Sequence, residues 1–253
     1  RRDTTELMPT PVPTATATSS ICTGYASETA VNKQVQYGAD ILSRIFYTKD
    51  SEEHRQQLQK LTAETLNELT EAVCQQAGIA PDQISSLVVA GNTTMMHFLF
   101  CIDAFPVFMA PFAPIFNRME PVPAKELGLM LDGVVYAYAS AANYLGGDVI
   151  AGILATGMAS SEELSLLIDI GTNGEITLGN KDYLIAGAGA AGPALEGAIS
   201  KHGMRAAPGA VETVVIKGGK LQISTIGGER PAGICGSGIV DLLAQMLLAG
   251  WME

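Results

Sequence analysis

The sequence predicts an α/β fold, on three observations. Apolar residues recur at helical spacing across Ser51 to Gly78. A short apolar run, Ile84 to Gly91, leads into a second helical pattern, and after Ser160 the chain becomes a series of short strands broken by glycine and polar turns.

Taken in order, residues 1–20, RRDTTELMPTPVPTATATSS, are rich in Thr, Pro and Ser, lack apolar periodicity, and read as a linker or tail. From Val35 the pattern becomes helical, and YGADILSRIF opens a run. In the following segment Leu58, Leu61, Leu66, Leu69 and Val73 line one helical face. Ser51 is its expected N-cap and Gly78 its stop. ISSLVVAG then reads as a buried strand, and NTTMMHFLFCI as the helix leaving it, with hydroxyls and amides at a helix start suited to an anion. Prolines at 106, 111, 114, 121 and 123 keep Phe105 to Pro123 mostly irregular. GVVYAYASAANYLGGDVIAGILATGM gives a strand, a small-residue helix start, a break at Gly146-Gly147-Asp148, and an Ala/Gly helix suited to close packing. Strands follow in LSLLIDIG, GEITLGN, DYLIAGAG and VETVVIKGGKLQISTIG, with GPALEGAISKHG as a helix or helical turn between them. GICGSGIVDLLAQMLLAG ends the pattern as glycine-rich backbone opening a helix from about Ile239 to Leu248, stopped at Gly250.

Hydrophobic residues make up 47% of the 253 and charged ones 16%, the balance of a chain that buries a substantial core. A net charge of -11 argues against nucleic acid or an anionic membrane as a general partner. Cys22, Cys74, Cys101 and Cys235 lie far apart, which supports neither a disulfide framework nor a zinc or iron–sulfur site within these residues. His54, His97 and His202 form no ligand pattern and read as surface or packing residues. With no long apolar run and no leader-like start, the expectation is a cytoplasmic protein with no membrane partner.

Three glycine-rich stretches carry the chemistry. In LLIDIGTNGEITLGN, Asp169 ends a strand, and Gly171, Thr172, Asn173 and Gly174 form a turn before Glu175. Backbone amides in such a turn can line phosphate oxygens, and a carboxylate suits Mg2+; an ordinary hairpin turn is the competing reading. Gly233, Gly236, Ser237 and Gly238 open the last helix without the lysine of a P-loop and with no clear parallel strand before them. AGAGAAGPALEGAIS presents small residues and one carboxylate, Glu196, as either a binding surface or a compact connection. No nucleophile–base set can be argued from spacing, so the sequence offers binding loops rather than a nucleophile.

An acid-Gly-Thr-x-Gly strand–turn–strand, followed by a glycine turn opening a helix, resembles the second phosphate loop and adenosine loop of the actin, sugar-kinase and Hsp70 ATPase superfamily. YGADILSRI, VVAGNTTMMHFLF, APFAPIF, NYLGGDVIAGILATGM, LLIDIGTNGEI, AGPALEGAISKHGMRAAPGA and GICGSGIVDLLAQMLLAG together resemble the C-terminal ATPase domain of the reductive activators of corrinoid proteins, from about Tyr37 to Gly250. The resemblance implies an actin-like, ribonuclease H-like ATPase fold in two α/β halves, residues 21–161 and 162–253. It implies ATP and Mg2+ as ligands, with Asp169 as catalytic and metal-binding residue. Gly171, Thr172, Asn173 and Gly174 would hold phosphate, and Gly233, Gly236, Ser237 and Gly238 the adenosine. The implied function is ATP-driven reactivation of Co(II) corrinoid in methyltransfer. The implied partners are a corrinoid protein and an electron donor acting through a ferredoxin domain, with a homodimer left open.

Residues 1–36 hold neither the superfamily's first Asp-x-Gly-Thr-Thr loop nor the four cysteines of a 2Fe-2S ferredoxin domain. The chain therefore reads as incomplete at both ends, with the cluster expected on a missing N-terminal domain. Two alternatives stand beside the ATPase reading: a non-catalytic actin-like module docking onto a corrinoid protein, and a small-molecule kinase of the same superfamily.

Overall fold

The computed structural model describes residues 16–20, 26–38, 40–171, 173–189 and 200–252. Contacts divide the chain into a larger unit, residues 15–169 with 175–189, and a smaller one, 190–253 with 1–14 and 170–174.

The larger unit starts with an antiparallel hairpin, β1 (Thr16–Ser20) on β2 (Ser27–Val31), in register Thr16 to Val31 and Ser20 to Ser27. This corrects the sequence expectation, which placed Thr16–Ser20 in a tail: the pairing comes from the partner strand, not from any apolar alternation. Helix α1 (Ile41–Thr48) is capped by Asp40, whose carboxylate accepts from the Ser43 amide at 2.8 Å and the Ser43 hydroxyl at 2.7 Å. Helix α2 (Glu52–Ala77) has the expected ends: the Ser51 hydroxyl accepts from His54 N at 3.2 Å, and Gly78 closes it at φ 68°. Its apolar face serves two clusters. Leu58 joins Ile45, Phe98 and Ala104; Ala63 and Leu66 join Leu99, Leu127, Leu131 and Val135. Burying each such leucine contributes roughly 1.5–3 kcal/mol.

Strand β3 (Ser86–Val89) leads into α3 (Thr93–Leu99), and a single turn, α4 (Phe105–Phe108), opens the proline-rich segment. Strands β4 (Val122–Pro123) and β5 (Val134–Ala137) complete a sheet of order β3-β5-β4, with β3 parallel and β4 antiparallel to β5. Helix α5 (Gly147–Thr156) follows a loop of bends. Ala139–Tyr144, expected as a helix start, is not helical, and the expected break at Gly146-Gly147 is where the helix begins. Strands β6 (Ser165–Ile170), β7 (Gly174–Gly179) and β8 (Leu184–Gly189) form a second sheet in chain order. Helix α5 packs on β6: Leu167 packs against the cluster of Val149, Ile153 and Met158, and a Cβ on Gly152 would come 3.2 Å from Leu167.

In the smaller unit, β9 (Ala210–Lys217) and β10 (Lys220–Thr225) form an antiparallel hairpin through Gly218-Gly219, both at positive φ. Strand β11 (Gly233–Ile234) pairs parallel with β9 at Ala210 and Val211, supplying the parallel strand the sequence did not reveal. Helix α6 (Gly236–Leu248) starts three residues before the expected Ile239. Gly250, at φ 69°, follows it, and Trp251 N donates to Met246 O at 2.8 Å. The expected helix in GPALEGAISKHG, and with it Glu196, lies outside the described residues up to Ser200.

Candidate nucleotide site

In the larger unit, the carboxyl ends of the parallel strands β3 and β5 lie side by side, tied by Tyr138 N donating to Val89 O at 2.9 Å. Ligands of open α/β sheets bind outside such strand ends. The turn after β3, Gly91-Asn92, begins α3. The Asn92 carboxamide accepts from Met95 N at 2.8 Å, and the Thr93 hydroxyl donates to Ala142 O at 2.7 Å. Thr93 and Thr94 are buried and α3 is only seven residues long. Of the anion site read from Gly-Asn-Thr-Thr, the Asn92 and Thr93 side chains are instead engaged in capping the helix and holding the next loop.

That loop delivers α5 against the same turn. A Cβ on Gly146 would lie 2.6 Å from Asn92 Cα and 2.8 Å from Gly91 O; one on Gly147 would meet Tyr138 O at 2.9 Å. Only glycine allows this approach, and it sets Asp148 at the second helical position, its amide donating to Gly91 O at 3.4 Å. Asp148 Oδ1 accepts from Val149 N at 2.9 Å. Burial raises the Asp148 pKa above its ordinary 3.8, and the negative charge of Asp169 raises it further. Asp169 itself is exposed at the end of β6. Sequence reading selected Asp169 and missed Asp148; the available signal was an acid in the first turn of a helix opened by two glycines.

Of the turn after Asp169, Thr172 lies outside the described residues. Gly171, Asn173 and Gly174 are half-buried, and Gly171 N donates to Asn173 O at 2.9 Å, so that amide is engaged within the turn. Glu175 starts the outgoing strand, in the second position of β7.

In the smaller unit, Gly233, Gly236, Ser237 and Gly238 are contiguous with β11 and the first turn of α6. A Cβ on Gly233 would lie 2.5 Å from His202 O, and one on Gly238 would lie 2.2 Å from Val211 O. These two glycines are required by chain packing whatever the turn binds. Gly236 is buried. Ser237 is exposed, with its hydroxyl 3.2 Å from Cys235 Sγ.

Among the described residues no three His, Cys, Asp or Glu side chains gather as a metal site, and no helix is long and apolar enough to cross a membrane.

The chain is mixed α/β, with acids at strand ends and glycine turns opening helices, and its second part matches the class of ASKHA domains. Two family models match: the RACo middle region over residues 20–161, and the C-terminal domain of RACo, the ASKHA domain, over residues 163–253. The chain belongs to this family, the reductive activators of corrinoid proteins. It is 36% identical over 222 residues to the corrinoid activation enzyme RamQ of Eubacterium limosum, covering 87% of this chain and 37% of that protein. It is 31% identical over 131 residues to the reductase of the Co(II) methylated amine-specific corrinoid protein of Methanosarcina barkeri, covering 43% and 24%. A solved reductive activator for corrinoid, iron-sulfur protein superposes with a TM-score of 0.74 at 44% identity, over 90% of this chain and 37% of that one. The matches thus span between about a quarter and little more than a third of these relatives' length, 24% to 37%.

Proposed function

We propose that this chain is the nucleotide-responsive part of an ATP-dependent reductive activator of a corrinoid protein, organised as two halves, residues 21–161 and 162–253. The observation that carries the reading is the pairing of Asp148 with Asp169 at the strand ends, where one carboxylate raises the pKa of the other. A cation brought by a nucleotide would offset the repulsion between the two carboxylates.

In this reading bound Mg-ATP supplies the free energy that offsets an unfavourable electron transfer to Co(II). The residues of the chain bind and orient. Asp169, exposed at the end of β6, faces the cation or its water shell. Asp148 Oδ1 is fixed by the Val149 amide, leaving Oδ2 to hold or release a proton. Asn173 and Gly174, with Thr172, offer donors to phosphate, and Gly236 and Ser237, between the packing glycines Gly233 and Gly238, offer backbone to the nucleoside. Nucleotide binding then biases affinity for the corrinoid protein between two states. The electrons would be supplied by a donor acting through a ferredoxin domain with a 2Fe-2S cluster.

The test is reduction of Co(II) corrinoid protein by the full-length activator, with and without ATP. Asp169→Ala is expected to lose at least about 100-fold in the ATP-dependent rate; an unchanged rate overturns the role given to Asp169. A second reading, a docking module with a vestigial cleft, is favoured by the Gly171 amide being engaged within its own turn. It predicts corrinoid-protein binding that ignores nucleotide.

A further inference from the structure

We propose that Asp241 and Gln245 are positioning residues for the glycine turn Gly233–Gly238, acting by fixing the axis of α6 against the open edge of β9. The proposal rests on the nucleotide reading of that turn. Strand β9 is paired with β10 along one side, but β11 covers its other side only at Ala210 and Val211. Amides of an antiparallel strand alternate between its two sides, so beyond Val211 the uncovered side still presents donors. The Val214 amide donates to Asp241 Oδ2 at 3.2 Å and the Ile216 amide to Gln245 Oε1 at 3.0 Å.

The match is geometric. Side chains four apart on a helix advance about 6 Å, and residues two apart on a strand about 6.6 Å. Acceptors at i and i+4 of α6 therefore meet successive edge amides of β9, and the helix takes the place of the missing strand. Nearer the turn, the chain is held by backbone: Cys235 N donates to Val211 O at 3.1 Å, and Gly238 packs against the same carbonyl. These backbone bonds fix where α6 starts. Asp241 and Gln245 add two further points along β9 that fix its axis. The direction of the Gly236–Gly238 amides follows the helix axis, so the two side chains set what the turn offers a ligand without touching it.

The experiment is calorimetric titration of purified protein with Mg-ATP, well below the unfolding temperature. The variants are Asp241→Leu with Gln245→Leu, and Asp241→Asn with Gln245→Glu, which retain an acceptor at each position. Exchange of the Val214 and Ile216 amides is followed in parallel. The leucine pair is expected to bind about tenfold more weakly and to expose both amides, while the acceptor-retaining pair stays within about threefold of wild type. Should the leucine pair not fold, Gln245→Ala alone is expected to bind about threefold more weakly and to speed exchange at Ile216. Wild-type affinity in the folded leucine pair, or in Gln245→Ala with Ile216 exposed, overturns the proposal alone. No binding by wild type overturns the nucleotide reading as well.

Discussion

Asp148, at the second position of α5, and Asp169, near the end of β6, are coupled: the charge of Asp169 adds to burial in raising the Asp148 pKa. Asp169→Asn is expected to lower it, read from the Asp148 carboxyl carbon by NMR titration. The stability consequence has a definite sign. A folded pKa above 3.8 means the folded state binds the proton more tightly, so this contribution is fully present below pH 3.8 and is lost as pH rises through the folded value. Asp148→Asn should flatten that part of the stability–pH curve, and an unchanged slope would remove the coupling.

Gly146 is the contact that sets Asp148. Gly146→Ala puts a Cβ 2.6 Å from Asn92 Cα and is expected to destabilise by about 1–3 kcal/mol in urea unfolding, with loss of the Asp148 shift. Gly157→Ala is the control. It is strained by φ 70° but has open space, and should cost about 1–2 kcal/mol while leaving Asp148 unchanged.

His97 fastens the proline-rich segment to α3. Its Nδ1 donates to Thr93 O at 2.7 Å, its Nε2 accepts from Ile115 N at 3.2 Å, and its ring lies 4.5 Å from that of Phe116. Accepting at Nε2 requires the neutral ring, and burial holds its pKa below 6.5 despite the favourable carboxylate of Asp103. The linked stability is present above pH 6.5 and is lost as pH falls through the lowered value. His97→Ala should cost roughly 2–4 kcal/mol and abolish that acid-side loss, as measured by denaturant unfolding from pH 5 to 8.

Ser51 caps α2 through a single side-chain bond to His54 N. Ser51→Ala is expected to lower stability by about 1 kcal/mol and Ser51→Asp to preserve it, in thermal melts.

These cases separate what the chain displays locally from what it does not. The ends of α2 are legible because a capping serine and a left-handed glycine act within one turn of the helix they bound. The start of α5 is not, because Gly146-Gly147 looks like a break unless Gly91, Asn92 and Tyr138 are known to press against it. The two residues of β11 become a strand only through β9. Asp169 could be read from its loop, whereas Asp148 needed the sheet to bring it alongside.

The most direct measurement is calorimetric titration of this chain with Mg-ATP, beside Asp169→Ala and Asp148→Asn. A nucleotide-binding role requires saturable binding by wild type, weakened at least about tenfold in Asp169→Ala. Absence of binding at millimolar Mg-ATP, or equal binding by all three proteins, would contradict it.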